Sequence, residues 1–530
     1  MRKIYVAIIA ILLAGNICGQ QMFTEQTLKL ARTLALVDAF YVDSTDQDML
    51  TEKAIKEILR NLDPHSVYFS AEEVKEMNEG LEGNFKGIGI QFNILYDSII
   101  VISPVPGGPS EKAGLRAGDR IVTIEGEKVA GVGITTSGVR KRLLGEKGTK
   151  VSVGVFRRGT EGINSYTIIR DKIPVNSLDA AYMISGEIGY IKLNKFAATT
   201  QNEFTDAVTN LINENMQHLI IDLRGNTGGY LESAIRISDH LFADKKMIVY
   251  LSGLKTPRQE FISRGNGDLA NSRIIILVDE GSASASEILA GAMQDYDRGV
   301  VVGRRTFGKG LVQNGFYMQD GSMVRLTIAR YYTPTGRLIQ RPYEDGLEKY
   351  IRDYYLRFSN GELLSADSIS FPDSLKYKTL VNGRDVFGGG GIMPDIFVSV
   401  DTSWYSDYYR SLISSNAITE FTLDYVDRNR NTLNRRFKSF DKFESDFEFT
   451  DKEIRAFIDT AEELGAKFEE DQFETSKQQL LKVMKGLVAR DLWDMSEYYE
   501  TVNHDDKTLL KAVNIISDRS LYNSLLKNSN

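Results

Sequence analysis

The sequence predicts a multidomain α/β protein: an alternating strand–helix core, a β-rich domain inserted ahead of it, and helical regions at both ends. Three observations carry this reading. From Val175 to about Arg341 short apolar runs alternate with amphipathic stretches, the pattern of buried, partly parallel strands joined by helices. From Gly83 to about Arg170 the texture changes to short β-rich runs punctuated by glycine. The length of 530 residues exceeds one ordinary domain, and 42% hydrophobic with 26% charged residues is a globular composition.

The regions follow in order. Residues 1–20 read as a secretory signal peptide: Arg2 and Lys3, the apolar run Ile4 to Leu13, then small or polar residues to Gln20. Cleavage near Gly19 or Gln20 would remove Cys18, the only cysteine, so no disulfide is expected. A lipid anchor at Cys18 is the weaker alternative, because Gly15, Asn16 and Ile17 match a lipobox poorly. The expected location is exported and periplasmic, or tethered to the envelope. No later stretch is apolar for long enough to span a bilayer. Residues 21–82 form the N-terminal helical region. Leu28, Ala31, Leu34 and Ala35, then Ala54, Ile55, Ile58, Leu59 and Leu62, recur at helical spacing, and Asp63-Pro64 ends the second helix.

Residues 83–170 form the β domain, with strands at Ile99 to Ile102, Arg120 to Ile124 and Val151 to Phe156 and a helix near Ser137 to Leu144. Residues 171–402 form the core. Its strands are Gly189 to Leu193, Leu219 to Leu223, Ile274 to Val278 and Val300 to Val302. Its helices are Thr200 to Glu214, Leu231 to Phe242 and Ser286 to Met293. Residues 403–530 are charged and mostly helical, with the stripe Ile454, Phe457, Ile458, Ala461 and Leu464.

Composition excludes several functions. The chain carries 64 Lys+Arg against 72 Asp+Glu, a net charge of −8 with no long basic run, which disfavours nucleic-acid binding. The four histidines (His65, His218, His240, His504) stand far apart, without HExxH or Cys-x-x-Cys, so neither a metal site nor a cofactor is expected. Enzyme chemistry would have to come from hydroxyls, carboxylates, amines and backbone.

Two segments could supply it. Gly281-Ser282-Ala283-Ser284-Ala285-Ser286-Glu287 follows the buried strand Ile274 to Val278. A hydroxyl there sits near a helix N-terminus, where free N–H groups and the dipole favour a developing negative charge. Helix capping by a serine with Glu287 explains the same residues. It is not the Gly-x-Ser-x-Gly elbow. The second segment is Phe307-Gly308-Lys309-Gly310-Leu311-Val312-Gln313. A lysine between glycines can be carried inward, where burial lowers its pKa and leaves an amine able to take a hydroxyl proton. An exposed turn lysine is the plainer reading of that segment alone. Gln313 offers an amide to orient the amine, and no phosphate loop is present.

Taken together, these segments and Asp222-Leu223-Arg224-Gly225-Asn226-Thr227-Gly228-Gly229 resemble the carboxy-terminal processing peptidases, or tail-specific proteases, a serine–lysine family carrying a PDZ domain. The motifs occur in the family's order. Its serine lies 25 residues before its lysine, which selects Ser284 from the three serines. The match runs from Leu62-Asp63-Pro64-His65-Ser66 to Gly391-Ile392-Met393-Pro394-Asp395 and does not cover the helical end.

The resemblance implies a crotonase-like serine-peptidase core. Ser284 would be the nucleophile, Lys309 the general base and then acid, and Gln313 the residue that orients the amine. Lys309 should be buried when the site is assembled. The oxyanion donors would be backbone N–H groups of Ala285 and of either Gly228 or Gly229. Lys86-Gly87-Ile88-Gly89-Ile90 resembles the family's carboxylate-binding loop, and Ala113-Gly114-Leu115 with Gly118-Asp119 the centre of a PDZ domain.

The implied function is an exported serine endopeptidase acting on protein or peptide substrates with accessible C-termini, with small or apolar tails preferred. No nucleic acid and no membrane span are involved, and a homo-oligomer is left open. The alternative is an inactive PDZ adaptor that binds C-termini without cutting, which would need none of Ser284, Lys309 and Gln313. A trypsin-like exported protease fits worse, since the β domain precedes the nucleophile and neither His218 nor His240 sits in a matching motif.

Overall fold

The computed structural model describes residues 24–527. The expected signal segment and Cys18 lie outside the described residues. The chain divides into two compact units, Met1–Val74 with Gln313–Thr327, and Lys75–Val312 with Ile328–Asn530.

In the smaller unit the helices Glu25–Phe40 and Gln47–Arg60 are capped by Thr24 and Asp46, whose side chains accept the N–H of Thr27 and Met49 at 3.3 and 2.9 Å. The region was expected to be helical, yet Val67–Phe69 is a strand, antiparallel to Met323, Val324 and Arg325. Val-Tyr-Phe is β-prone and too short to show a period of its own. The turn before it is built on Asp63. Its Oδ1 accepts the N–H of His65 and Ser66 at 2.8 and 3.0 Å, and its Oδ2 the Ser66 hydroxyl at 2.6 Å.

The larger unit contains the inserted β domain, an antiparallel sheet in the order Ile90–Leu95, Ser98–Pro104, Arg120–Ile124, Lys150–Phe156, Ile163–Ile169. Ile90–Leu95 is an edge strand, so its outer backbone groups are open to another chain. Ile88, Ile99, Val101, Ile121, Val151 and Val153 fill the interior, and Val139 and Leu143 of the helix Thr136–Leu143 close it.

The core is a second sheet in the order Leu178–Ser185, Ile188–Leu193, His218–Asp222, Ile274–Val278, Val300–Gly303, Ile396–Phe397. The first pair is antiparallel and the rest parallel. Ile274–Val278 and Val300–Gly303 are buried throughout, which is why they read as short apolar runs; Ile188–Leu193 is buried as well, although it carries Lys192. One face is covered by the helices Thr200–Asn213, Leu231–Leu241 and Ala285–Asp295, through Phe204, Ile237, Leu241, Leu289 and Met293. The other face presents Tyr190, Ile220, Ile275, Leu277, Val300 and Val302, which pack against Leu509, Ala512, Ile515, Ile516 and Tyr522 of the last two helices. The last two helices thus complete the core.

Between them, Tyr408, Phe421, Phe457 and Phe473 gather the helices Asp407–Ser414, Ala417–Arg436, Asp451–Glu463 and Glu470–Leu492 around a core of their own. The helix Ala417–Arg436 also holds the β domain. Leu423 packs with Leu95 and Ile100, and the buried carboxylate of Asp427 lies 3.1 Å from both Arg120 and Arg158.

Candidate active site

In open α/β sheets ligands bind outside the carboxyl ends of the parallel strands. Here the connections after His218–Asp222, Ile274–Val278 and Val300–Gly303 all leave from that edge. The second carries the three serines, and the structure separates them. Ser282 is fully buried and its hydroxyl donates to the Leu223 carbonyl at 2.8 Å. Ser286 is also fully buried, donating to the Asn226 carbonyl at 2.9 Å. Ser284 is half-buried at the N-cap of the helix Ala285–Asp295, with φ 56° and ψ −113°. A non-glycine residue held there is strained, and such strain gathers at functional positions.

The turn Gly225–Gly229 lies against this serine. A side chain at Gly228 would meet the Ser284 Cβ at 2.7 Å and the Ala285 nitrogen at 2.9 Å, so only glycine fits. The two glycines differ in their N–H groups. That of Gly228 donates to the Asn226 side chain at 2.9 Å. That of Gly229 has no hydrogen-bond partner among the described residues, although its neighbours are paired: Phe196 donates to the Gly228 carbonyl and Tyr230 to that of Phe196. The first-turn N–H of Ala285 is likewise untaken among the described residues. Gly229 and Ala285 therefore stand where two donors are available, and Gly228 serves as the close-packing residue.

The lysine loop is tied to the serine by Glu287, which is fully buried. Its Oε1 accepts the Thr306 hydroxyl at 2.5 Å and the Gly308 N–H at 2.7 Å. Its Oε2 accepts the N–H groups of Lys309 at 2.9 Å and Ser284 at 2.8 Å. Burial pushes the carboxyl up, and the four hydrogen bonds pull it down. Tyr331, opposite Leu251 in a neighbouring sheet, adds a second tie, donating to the Ser284 carbonyl at 3.2 Å and to that of Lys309. Lys309 itself is half-buried rather than enclosed. Its main chain is pinned by Glu287 and Tyr331, while flanking glycines carry no side chains to cover its stem. Gln313 belongs to the smaller unit, where its amide donates to the Thr327 hydroxyl at 3.3 Å; that hydroxyl donates to Asp63 at 3.0 Å.

Behind the glycine turn lies a buried charge cluster. Asp222 accepts from Tyr190 at 2.8 Å, from Lys192 at 3.3 Å and from the Arg224 guanidinium. Burial works against its charge, but Arg224 and Lys192 hold it below the usual carboxylate range. Asp279 links the turn to the serine segment, accepting the N–H of Gly225 at 2.8 Å and those of Gly281 and Ser282.

In the β domain, Ile88 and Gly89 are buried and Ile90 begins the edge strand. Gly87 ends a short strand paired with Asp171, and Lys86 is exposed and ion-paired with Glu146 at 2.7 Å. The N–H groups of Ile88 and Gly89 donate to no backbone carbonyl among the described residues.

Residues 187–349 match the model of peptidase family S41 and residues 87–162 that of the PDZ domain. The chain is 33% identical over 361 residues to the carboxy-terminal processing protease CtpB of Bacillus subtilis, covering 68% of this chain and 72% of that one. It is 35% identical over 327 residues to the carboxy-terminal-processing protease of Bartonella bacilliformis, covering 61% and 74%. The chain belongs to the carboxy-terminal processing proteases of peptidase family S41. It spans 62% of the length of a probable CtpA-like serine protease of Staphylococcus aureus, at 37% identity over 59% of this chain. Among solved structures it is similar to a photosystem II D1 C-terminal processing protease, with 30% identity, 60% of this chain, 91% of that chain and a TM-score of 0.34. Residues 408–494 match a family of unknown function.

In this processing-protease chain the sequence pointed to Ser284, Lys309 and the glycine turn but missed Tyr331, Asp279 and Lys192, whose partners lie 22 to 54 residues away. Glu287 was legible only as a cap. The spacing from Ser284 signals a capping box, and nothing local signals its three further donors from the lysine loop. No helix among the described residues is long and apolar enough to cross a membrane.

Proposed function

We propose that this chain is an exported, periplasmic serine endopeptidase that binds protein C-terminal tails in its PDZ domain and cuts peptide bonds with Ser284 and Lys309. The carrying observation is the division of labour among the serines: two hydroxyls are buried on main-chain carbonyls, and only Ser284 is half-buried, strained and beside the glycine turn. In the reaction the Lys309 amine takes the Ser284 proton as Oγ attacks the substrate carbonyl. The oxyanion is received by the N–H groups of Ala285 and Gly229. Lys309 then passes the proton to the leaving amine, and a water repeats the sequence to release the acyl group.

The tail carboxylate is taken by the N–H groups of the Lys86–Ile90 loop, and the tail adds as a strand to the open edge of Ile90–Leu95. The test is cleavage of a protein with an apolar C-terminal tail by purified chain, compared with Ser284→Ala, Lys309→Ala and the double variant. The expected result is near-complete loss in each, with no further loss in the double variant, because the two act as a unit. Tail binding without cutting by the wild-type chain would refute the reading.

A further inference from the structure

Arg224, at the start of the glycine turn, is gripped from two sides. Its Nε and one terminal nitrogen bond Asp222, at 3.0 and 2.6 Å. Its other terminal nitrogen bonds both carboxylate oxygens of Asp506, each at 2.9 Å. Asp506 lies 282 residues further along the chain, outside the matched peptidase, PDZ and 408–494 regions. It is also the N-cap of the helix Lys507–Ser517, accepting the Leu509 N–H at 2.7 Å. That helix is fixed by packing on the core sheet, so Asp506 is a rigid anchor.

The main chain of Arg224 is part of the turn that supplies Gly229. Its N–H bonds Asp222 at 2.9 Å and its carbonyl receives Lys192. Two cations, Lys192 and Arg224, face two carboxylates, Asp222 and Asp506. Without the charge of Asp506 the cluster holds one cation in excess, and the guanidinium loses the partner that fixes its outer edge. A turn that shifts with Arg224 carries the Gly229 N–H with it. Displacements of about 1 Å cost on the order of a hundredfold in rate.

We propose that Asp506 is a positioning residue for proteolysis, holding through Arg224 the turn that presents Gly229 to the oxyanion. The inference rests on the serine-endopeptidase reading. It also gives the C-terminal region a task at the site as well as in the core.

Asp506→Asn isolates the charge, since asparagine caps helices as well as aspartate and keeps an oxygen for Leu509. Asp506→Glu is the conservative partner, returning the carboxylate on a longer stem. Four readouts are taken on the full chain: kcat and KM with a tailed substrate, affinity for a tail peptide, inhibition by a peptide boronic acid that forms a tetrahedral adduct, and the melting temperature. In Asp506→Asn kcat is expected to fall about tenfold, below the ~10²-fold loss from removing an oxyanion donor outright. Boronate affinity falls in parallel, KM and tail affinity hold, and Asp506→Glu recovers part of the loss. Unchanged kcat and boronate affinity would overturn the inference. So would a fall in kcat that tracks the melting temperature, leaves boronate affinity intact and is not recovered by glutamate. Wild-type chain that binds tails and cuts nothing would overturn the endopeptidase reading and this inference with it.

Discussion

The backbone N–H groups of Ser284 and Lys309 meet on one oxygen of the Glu287 carboxylate, at 2.8 and 2.9 Å. Twenty-five residues apart in sequence, they are held in register by a group that carries no proton in the proposed reaction. The other oxygen holds Gly308 and Thr306. Glu287→Gln preserves the shape but turns one oxygen into a donor. Whichever way the amide lies, a backbone N–H then faces an NH₂ group: Gly308 on one side, or both Ser284 and Lys309 on the other. The expected cost is about 2–4 kcal/mol of stability, from buried donors left unsatisfied. A loss in kcat of roughly a hundredfold should accompany it, because both reacting side chains leave their register. Thermal melts and steady-state kinetics check both, and wild-type values in either would refute the account.

The backbone of Ser284 supplies a second prediction. At φ 56° and ψ −113° it sits where side chains are unfavourable, at about 1–3 kcal/mol for such a conformation. Ser284→Gly should therefore melt higher than wild type, by about 1 kcal/mol, while proteolysis is lost. Ser284→Ala should lose proteolysis without that gain. Ser282→Ala should behave in the opposite way. Its hydroxyl bridges the Leu223 carbonyl and the Asp279 N–H, so removal costs about 1–2 kcal/mol and leaves measurable cutting. Equal stability of the glycine and alanine variants at position 284 would show that the strain is not there.

These contrasts show what the sequence could and could not disclose. Four of the six strands of the core sheet and the three helices on it were legible to within two residues, because burial on a parallel sheet writes short apolar runs. Ile274–Val278 was read without error, whereas the outer strands Leu178–Ser185 and Ile396–Phe397 went unread. The serine and lysine segments were legible because glycine and small residues mark sharp turns. Which of Gly228 and Gly229 has its N–H taken within the turn was not, since that depends on the side chain of Asn226 turning back to one of them. Val67–Phe69 was missed because its partner strand lies more than 250 residues away. The helical end read as a charged appendage, since the face that buries Ile515 and Ile516 is visible only once the core sheet it covers exists.

The docking of the PDZ domain on the helix Ala417–Arg436 gives a third prediction. Asp427 is 5% exposed and takes two arginines of the PDZ domain, Arg120 at the start of a strand and Arg158 in the turn after Lys150–Phe156. Leu423 adds an apolar contact with Leu95 and Ile100. Asp427→Ala leaves Arg120, 16% exposed, without its acceptor at a largely dry interface, and should cost about 1–3 kcal/mol. Amide hydrogen exchange is expected to quicken in Leu95, Ile100 and Arg120 while the interior at Val151 and Val153 stays protected. Tail-peptide affinity should not change, since Leu95, where the helix touches the edge strand, lies at the opposite end of that strand from the Lys86–Ile90 loop. Exchange that quickens evenly through the whole domain would mean that Asp427 supports the PDZ fold itself, not its docking.

The last prediction concerns Glu500, on the helix Met495–Asn503. Burial first, and then the carboxylates of Glu497, Asp441 and Glu444, push it from an ordinary 4.5 up to about 7. In the unfolded chain the group loses its proton near pH 4.5, whereas in the folded chain it keeps it until about pH 7. Over that interval the unfolded state gains from releasing the proton and the native state does not. The group's contribution is thus fully present below pH 4.5, falls as pH rises toward 7, and stays at its lowest above that. Glu500→Gln fixes the neutral form. The variant should melt like wild type at pH 4 and higher than wild type at pH 8, by about 2 °C for a chain of this size. The nearby Lys485, 3.4 Å from Glu444, is present in both proteins and cancels in the comparison. Melting curves at the two pH values decide the matter: an equal difference at both would show that the glutamine acts through packing, and a lower melt at pH 8 would reverse the assigned direction of the shift.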